Sequence, residues 1–258
     1  MVKIKSPFRL EEYRTNLVNI GNESEFKETY KSLIEIKDTN TCNFWDKENT
    51  HMERLEFDQN PMAVDRARFI GRMLGKNKKK ILDVGFGSGI VESIYYDLFP
   101  NSGIKLYGID FSPKSVLRAK KRFPKGEFKK GSILKIPYKN EMFDTVICLE
   151  VMEHVVPSKT FLALSELYRV TKKHGKIIIS VPLNEGLEEM VNQKQNPNHH
   201  VRVYSPEIIK AEMKLAGFTV LKEKYLYAFG KFYYLKSFLA KTILNYSPNN
   251  IIIIALKS

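Results

Sequence analysis

Apolar and polar positions follow two rhythms that take turns along this chain. Short runs of strand length are separated by stretches whose apolar positions recur every three or four residues, the period of a helix. The runs predict strands over residues 80–84, 104–109, 127–130, 144–149, 176–181, 219–227 and 250–257. The longer period predicts helices over residues 63–74, 90–99, 113–123, 158–170 and 205–216. Start signals support two of them. Ser112 before Pro113 and Ser205 before Pro206 pair a capping hydroxyl with a proline whose missing N–H costs a first turn nothing. Gly75 and Gly217 stand where helices should stop. Alternating strands and helices predict an α/β fold with a mostly parallel sheet covered on both faces, and such sheets bind ligands beyond the carboxyl ends of their strands.

Two stretches stand apart from this alternation. Residues 1–60 show only rough helical spacing, through Leu17, Ile20, Phe26, Tyr30, Leu33 and Ile34, and read as a helical extension or lid on a main domain at residues 61–258. Trp45, the only tryptophan, is expected to pack on that domain. Residues 229–244 form an aromatic helical stretch with Phe232, Leu235, Leu239 and Ile243 on one stripe, edged by Lys231, Lys236 and Lys241. Such a stripe is most often core or the cover of a sheet edge; the alternative is contact with lipid or a hydrophobic acceptor.

Charge changes the picture in one respect. The net charge is +13, yet residues 1–60 hold 12 acidic and 9 basic side chains, so the remainder carries +16. That surplus suits RNA, a phosphorylated metabolite or an acidic membrane surface. Against such a partner, only 10 of the 42 basic residues are arginine, the better fork for phosphate, and a solvated surface accounts for the rest. No apolar run approaches the roughly 18–20 residues that span a bilayer, and the polar N-terminal stretch predicts a soluble, cytoplasmic protein. Cys42 and Cys148 are too few and too far apart for a disulfide framework or a zinc pattern.

The chemistry centres on Asp83-Val84-Gly85-Phe86-Gly87-Ser88-Gly89, between the first predicted strand and its helix. Glycines let the backbone turn sharply and approach a ligand, and the helix after them presents free N–H groups that suit a carboxylate. A dinucleotide loop would need a glycine where Ile90 stands. Asp83 would repel a pyrophosphate but suits an ammonium. Asp110, at the end of the second strand and 25 residues after Gly85, lies at the distance where an acid meets ribose hydroxyls. The two acids together suit a nucleoside bearing an amino-acid tail.

On these residues the sequence resembles the class I S-adenosylmethionine-dependent methyltransferase superfamily, particularly its small-molecule, type 11-like branch related to ubiquinone-pathway enzymes. Residues 81–89, 107–112, 131–137 with Phe143-Asp144, and 172–182 carry the likeness. The resemblance implies a Rossmann-like three-layer sandwich whose seven-stranded, mostly parallel sheet ends in an antiparallel strand, and it implies S-adenosyl-L-methionine as cofactor. It places the methionine part at Asp83, Gly85, Gly87 and Gly89, the ribose at Asp110, and the adenine beside Phe111, Ser132 and Ile133. Leu149 and Glu150 would close the floor near the sulfonium. Ser132 departs from the family's usual aspartate, which weakens a direct adenine contact there.

The acceptor is the open part, because an activated methyl needs mainly alignment and exclusion of water. If helical, Glu150, Glu153 and His154 share a face at the cofactor's mouth, and Asn198-His199-His200 brings two more imidazoles. Glu150, Glu153, His154 and His199 resemble the metal-holding set of small-RNA 2′-O-methyltransferases, but the same run occurs in small-molecule relatives without metal, so no metal ligand is assigned. His154 is the candidate acceptor-site base, a structural role being its bland alternative. His51 and His174, like the face of Lys114, Arg118, Lys121 and Lys125, read as surface. The expectation is a methyltransferase for a small-molecule or lipid-like acceptor. Its alternatives are a metal-dependent RNA 2′-O-methyltransferase and an inactive cofactor-binding interaction protein. Oligomeric state is not legible.

Overall fold

Helices α1 (Cys42–His51) and α2 (Pro61–Leu74) precede the first strand, β1 (Lys80–Val84). Then come α3 (Ile90–Leu98), β2 (Lys105–Asp110), α4 (Pro113–Arg122), β3 (Glu127–Lys130) and β4 (Phe143–Leu149). Two single 3-10 turns, Met152–His154 and Pro157–Lys159, lead to α5 (Thr160–Val170) and β5 (Thr171–Pro182). Next follow α6 (Pro206–Leu215), β6 (Phe218–Leu226), α7 (Tyr233–Thr242) and β7 (Asn250–Lys257). The computed structural model describes residues 38–51, 60–183, 185–187, 190, 193–194, 196–244 and 246–258. The expected helical positions from Leu17 to Ile34 lie outside the described residues, as does the side chain of His51.

The seven strands make one sheet in the order β3-β2-β1-β4-β5-β7-β6. Strands β1 to β5 are parallel neighbours, Leu82 lying opposite Tyr107 on one side and Val146 on the other. β7 runs antiparallel between β5 and β6, as the resemblance implied. The chain winds outward from β1 through β2 to β3, then crosses to β4 on the other side. That reversal opens a crevice at the carboxyl ends of β1 and β4. Because β5 and β6 are both antiparallel to β7, β6 also ends on this edge.

Burial on both faces explains the near-continuous apolar runs. Leu82 and Val84 pack with Leu164 and Leu167 of α5 and Ile208 of α6, while Ile81 faces Ile70 of α2, Tyr95 of α3 and Val116 of α4. The result is the expected three layers. Helix starts are where capping chemistry puts them: Asn60 accepts from the Met62 N–H (3.0 Å), Ser112 from the Ser115 N–H (3.1 Å) and Ser205 from the Ile208 N–H (3.3 Å).

Three expectations change. β5 starts at Thr171 rather than 176, because Thr171 pairs with Phe143 across a register shift. The helix expected from Ser158 begins as a 3-10 turn and becomes α-helical at Thr160. The aromatic stripe is neither core nor the cover of a sheet edge: Phe232, Leu235 and Ile243 are exposed, and α7 buries Tyr233 and Ala240 instead. His174 and Lys114, Lys121 and Lys125 are exposed as expected, and Arg118 is half-buried.

One buried charge pair shapes the segment that leads into α6. Arg202 and Glu212, both without solvent exposure, form an ion pair; Arg202 also donates to the Thr160 hydroxyl, and Tyr204 donates to Glu212 at 3.1 Å. This clamp holds residues 200–205 against α5 and α6.

Candidate functional site

The site is built where β1, β2 and β4 end. After β1 the backbone turns through Gly85 at φ +78°, and its N–H donates to the Ile109 carbonyl at 2.8 Å. A side chain there would be strained, and its Cβ would lie 2.5 Å from Cγ2 of Val151, so only glycine lets the loop close on the turn after β4. Gly89, also at positive φ, opens α3.

Asp110 ends β2 with 5% exposure. Its Oδ2 accepts the Gly87 N–H (2.9 Å) and its Oδ1 accepts the Ser112 N–H (2.8 Å). The carboxylate thus ties the glycine loop to the cap of α4 and keeps lone pairs for a ligand. Burial pushes its pKa up against these two hydrogen bonds. Asp83 is buried too, and burial together with neighbouring Glu92 holds its carboxyl well above the usual range. Burial likewise brings Glu92 up to about 7.

Asp83, Gly85, Gly87, Asp110, Phe111, Leu149, Glu150 and His154 all line one cavity. Ser132 and Ile133 line an adjoining cavity that shares Gly85, Asp110, Phe111 and His154 with it. Gly89 lines neither, and acts on the loop through its backbone turn. The remaining walls were not foreseen. Ala63, Arg66 and Ala67 of α2 and Trp45 of α1 complete the main cavity. α1 is held there by Ser112, whose hydroxyl donates to Asp46, and by the Cys42 thiol, which donates to the Phe111 carbonyl at 3.2 Å. The solitary tryptophan was the one available signal; nothing local marks Arg66.

The acids and histidines after β4 sort differently from a helical reading. Only Met152–His154 forms a 3-10 turn, and Glu150 sits at φ +54°, so its side chain leaves the shared face. Glu150 pairs with Arg66 (2.9 Å) and accepts from Ser180 (2.6 Å) and Asn250 (2.9 Å). Burial raises its pKa, but Arg66 and these donors outweigh it and hold the carboxyl below its ordinary value. His199 also turns away: its Nδ1 lies 2.5 Å from the Thr39 hydroxyl and its ring against Phe44.

His200 takes its place. The Val201 N–H donates to the Glu153 carbonyl (2.9 Å), which brings His200 over the turn. Ligand atoms of Glu153, His154 and His200 lie within 4.8 Å of one another. His200 is oriented by Glu185 through Nδ1 at 2.7 Å. Glu153 is fully buried, and neither of its oxygens has a hydrogen-bond partner among the described residues. Burial and the charge of Glu150 push its carboxyl well above the usual range. Burial, with His200 beside it, takes His154 down to about 3, so its imidazole is neutral at working pH. Trp45 meets the His154 ring edge-on at 4.7 Å.

Comparison with known proteins finds methyltransferases. Residues 82–179 match the family described as a methyltransferase domain. A demethylmenaquinone methyltransferase of Streptomyces avermitilis is 35% identical over 132 residues, 49% of this chain and 54% of that protein. One from Chlorobaculum parvum is 30% identical over 130 residues, 48% of this chain and 53% of its own. The chain therefore spans about half the length of the curated relatives it matches. Among solved structures, an N-methyltransferase of Bradyrhizobium japonicum in complex with S-adenosyl-L-homocysteine shares the fold. Its TM-score is 0.62 at 15% identity, covering 84% of this chain and 98% of that one.

Proposed function

With residues 82–179 identified as a class I S-adenosylmethionine-dependent methyltransferase domain, we propose that the protein transfers a methyl group from that cofactor to a small, lipid-like acceptor. The observation that carries this reading is Asp110, a buried carboxylate held by the Gly87 and Ser112 N–H groups in the same cavity as Asp83. The donor set fits the cofactor. Asp110 offers a fixed acceptor for ribose hydroxyls, with Phe111, Ser132 and Ile133 around the adenine. The glycine loop and Asp83 suit the methionine end, where an ammonium supplies the positive charge that the raised Asp83–Glu92 pair lacks. Leu149 and Glu150 form the floor, the charge of Glu150 being balanced by Arg66.

Bound there, S-adenosylmethionine would supply an activated methyl group, so the chain's tasks are to hold, align and keep dry. Trp45, Ala63, Ala67, Phe111 and Leu149 give the cavity an apolar wall suited to a lipid-like acceptor, and relatives named for demethylmenaquinone support that class. Helix α1 acts as a lid, since its Trp45 is part of that wall. His154 accepts a hydrogen bond from the acceptor; with a pKa of about 3 it is a weak base, so its contribution falls at the low end of acid–base catalysis.

Labelled cofactor incubated with fractionated cell extract tests the reading. Label should enter the lipid-extractable fraction, and His154→Gln should slow transfer about 100-fold while cofactor affinity is kept. Label confined to protein overturns the acceptor class. Cofactor binding with no turnover on any fraction would leave the chain as a cofactor-binding interaction protein.

A second reading is metal-assisted methylation of a hydroxyl, RNA ribose included, and it rests on the Glu153–His154–His200 cluster with its unpartnered carboxylate. A divalent ion there would supply Lewis acidity. Under this reading chelator abolishes transfer, manganese or magnesium restores it, and label enters RNA. Turnover indifferent to chelator rejects it.

A further inference from the structure

Helix α7 turns its apolar side outward. Its inner side is tied to α2 by the Tyr233 hydroxyl, which donates to Asp65 at 3.2 Å. On the other side Tyr234, Leu235 and Phe238 are 61%, 60% and 61% exposed. Phe232 before the helix and Ile243 and Leu244 after it extend the surface, at 76%, 69% and 67%. Single exposed apolar residues are ordinary, but six within thirteen positions make a patch that has to meet something.

Charge selects the occupant. Residues 227–249 contain Lys231, Lys236 and Lys241 and no acidic side chain at all. The three lysines are exposed and flank the aromatic and aliphatic side chains. Lysine stems can lie along an apolar surface while their ammonium groups reach outward to anions. Aromatic and aliphatic residues facing out between lysines form the pattern of a helix lying in a bilayer interface. A second copy of this chain is the poorer fit, because two lysine-rimmed patches on molecules of net charge +13 repel.

Position gives the patch a purpose. β6 ends on the edge of the sheet where the cavity opens, so α7 starts from that edge. The helix to which it is tied, α2, supplies Ala63, Arg66 and Ala67 to the cavity wall. We propose that α7 and its flanks seat the protein on a bilayer surface bearing anionic phospholipid headgroups, close to the mouth of the cavity. No described helix is long and apolar enough to cross a membrane, so the attachment is to one surface. The proposal goes beyond the methyl-transfer reading and does not depend on it, since attachment needs no cofactor.

Flotation of the full chain with vesicles, without cofactor, tests this. The protein should float with phosphatidylcholine–phosphatidylglycerol vesicles and bind at least about tenfold less to phosphatidylcholine alone or at high salt. Phe238→Asp should weaken binding at least about tenfold, with an unchanged thermal melt and unchanged calorimetric affinity for S-adenosylmethionine. Lys231→Glu with Lys236→Glu and Lys241→Glu should abolish the preference for anionic vesicles. Failure of the wild type to float, or Phe238→Asp floating as well as wild type, overturns the proposal. So does a dimer in light scattering that Leu235→Asp splits while vesicles remain unbound, which would assign the patch to a second copy. Cofactor affinity is read separately, so vesicle binding and methyl transfer fail independently.

Discussion

Asp110→Ala should weaken binding of S-adenosylmethionine about 100- to 10,000-fold, read by calorimetry. A hydrogen bond to a charged group contributes about 1.5–3 kcal/mol, and each 1.4 kcal/mol is about tenfold in affinity. Two such bonds to a ribose therefore account for the expected range. Alanine also releases the Gly87 and Ser112 N–H groups, now held at 2.9 and 2.8 Å, so the glycine loop loses its tie to the cap of α4. Asp110→Asn keeps the shape but loses the charge and one acceptor, and should fall between wild type and alanine. The thermal melt of Asp110→Ala should fall by a few degrees but stay cooperative, since two N–H groups lose their acceptor while Tyr107 and Ile109 keep their packing. Unchanged affinity in a folded Asp110→Ala protein would sink the assignment of this cavity to the cofactor.

The largest stability effect should come from Glu212→Ala, outside the lining of the cofactor cavity. Glu212 and Arg202 are both shut away from water, and removing the carboxylate takes from the buried guanidinium the ion-pair partner it has on α6. Breaking a buried pair from one side costs about 3–5 kcal/mol. At about 2–4 °C per kcal/mol for a domain of this size, the melting temperature should drop by about 6–20 °C. The Tyr204 hydroxyl, which donates to Glu212 at 3.1 Å, loses its acceptor in the same step. Replacing both partners, as in Arg202→Met with Glu212→Leu, should recover most of the loss, because two apolar side chains leave no charge in the interior. A melt within a degree or so of wild type for the single variant would show that water reaches Arg202 and that the clamp contributes little.

Elements were more legible than sites, and particular residues show why. The strands at Lys80–Val84, Glu127–Lys130 and Asn250–Lys257 have the bounds their patterns predict, and Ser112 and Ser205 cap the helices they were expected to cap. Those outcomes depend on neighbours within a few positions. The cavity drew on the same local signals for Asp83, Gly85, Gly87 and Asp110. It drew on none for Arg66, which meets Glu150 from 84 positions away, and for Trp45 only on its being the sole tryptophan, its partner His154 lying 109 positions away. His199 and His200 are adjacent and equivalent as letters. Which one reaches Glu153 depends on the bond between the Val201 N–H and the Glu153 carbonyl, and that partner cannot be read from spacing.

Sequence by itself determined the alternation of strands and helices, the glycine loop with its two acids, and hence the class of cofactor. Backbone geometry and capping act over a few residues, so their signals are written locally. Tertiary structure alone decided that Glu150 leaves the turn for Arg66, that His200 rather than His199 joins Glu153 and His154, and that the outer side of α7 is exposed. Periodicity states that a helix has an apolar side. Which side is buried depends on what else packs there, and for α7 Asp65 of α2 holds Tyr233 inward while Tyr234, Leu235 and Phe238 face outward.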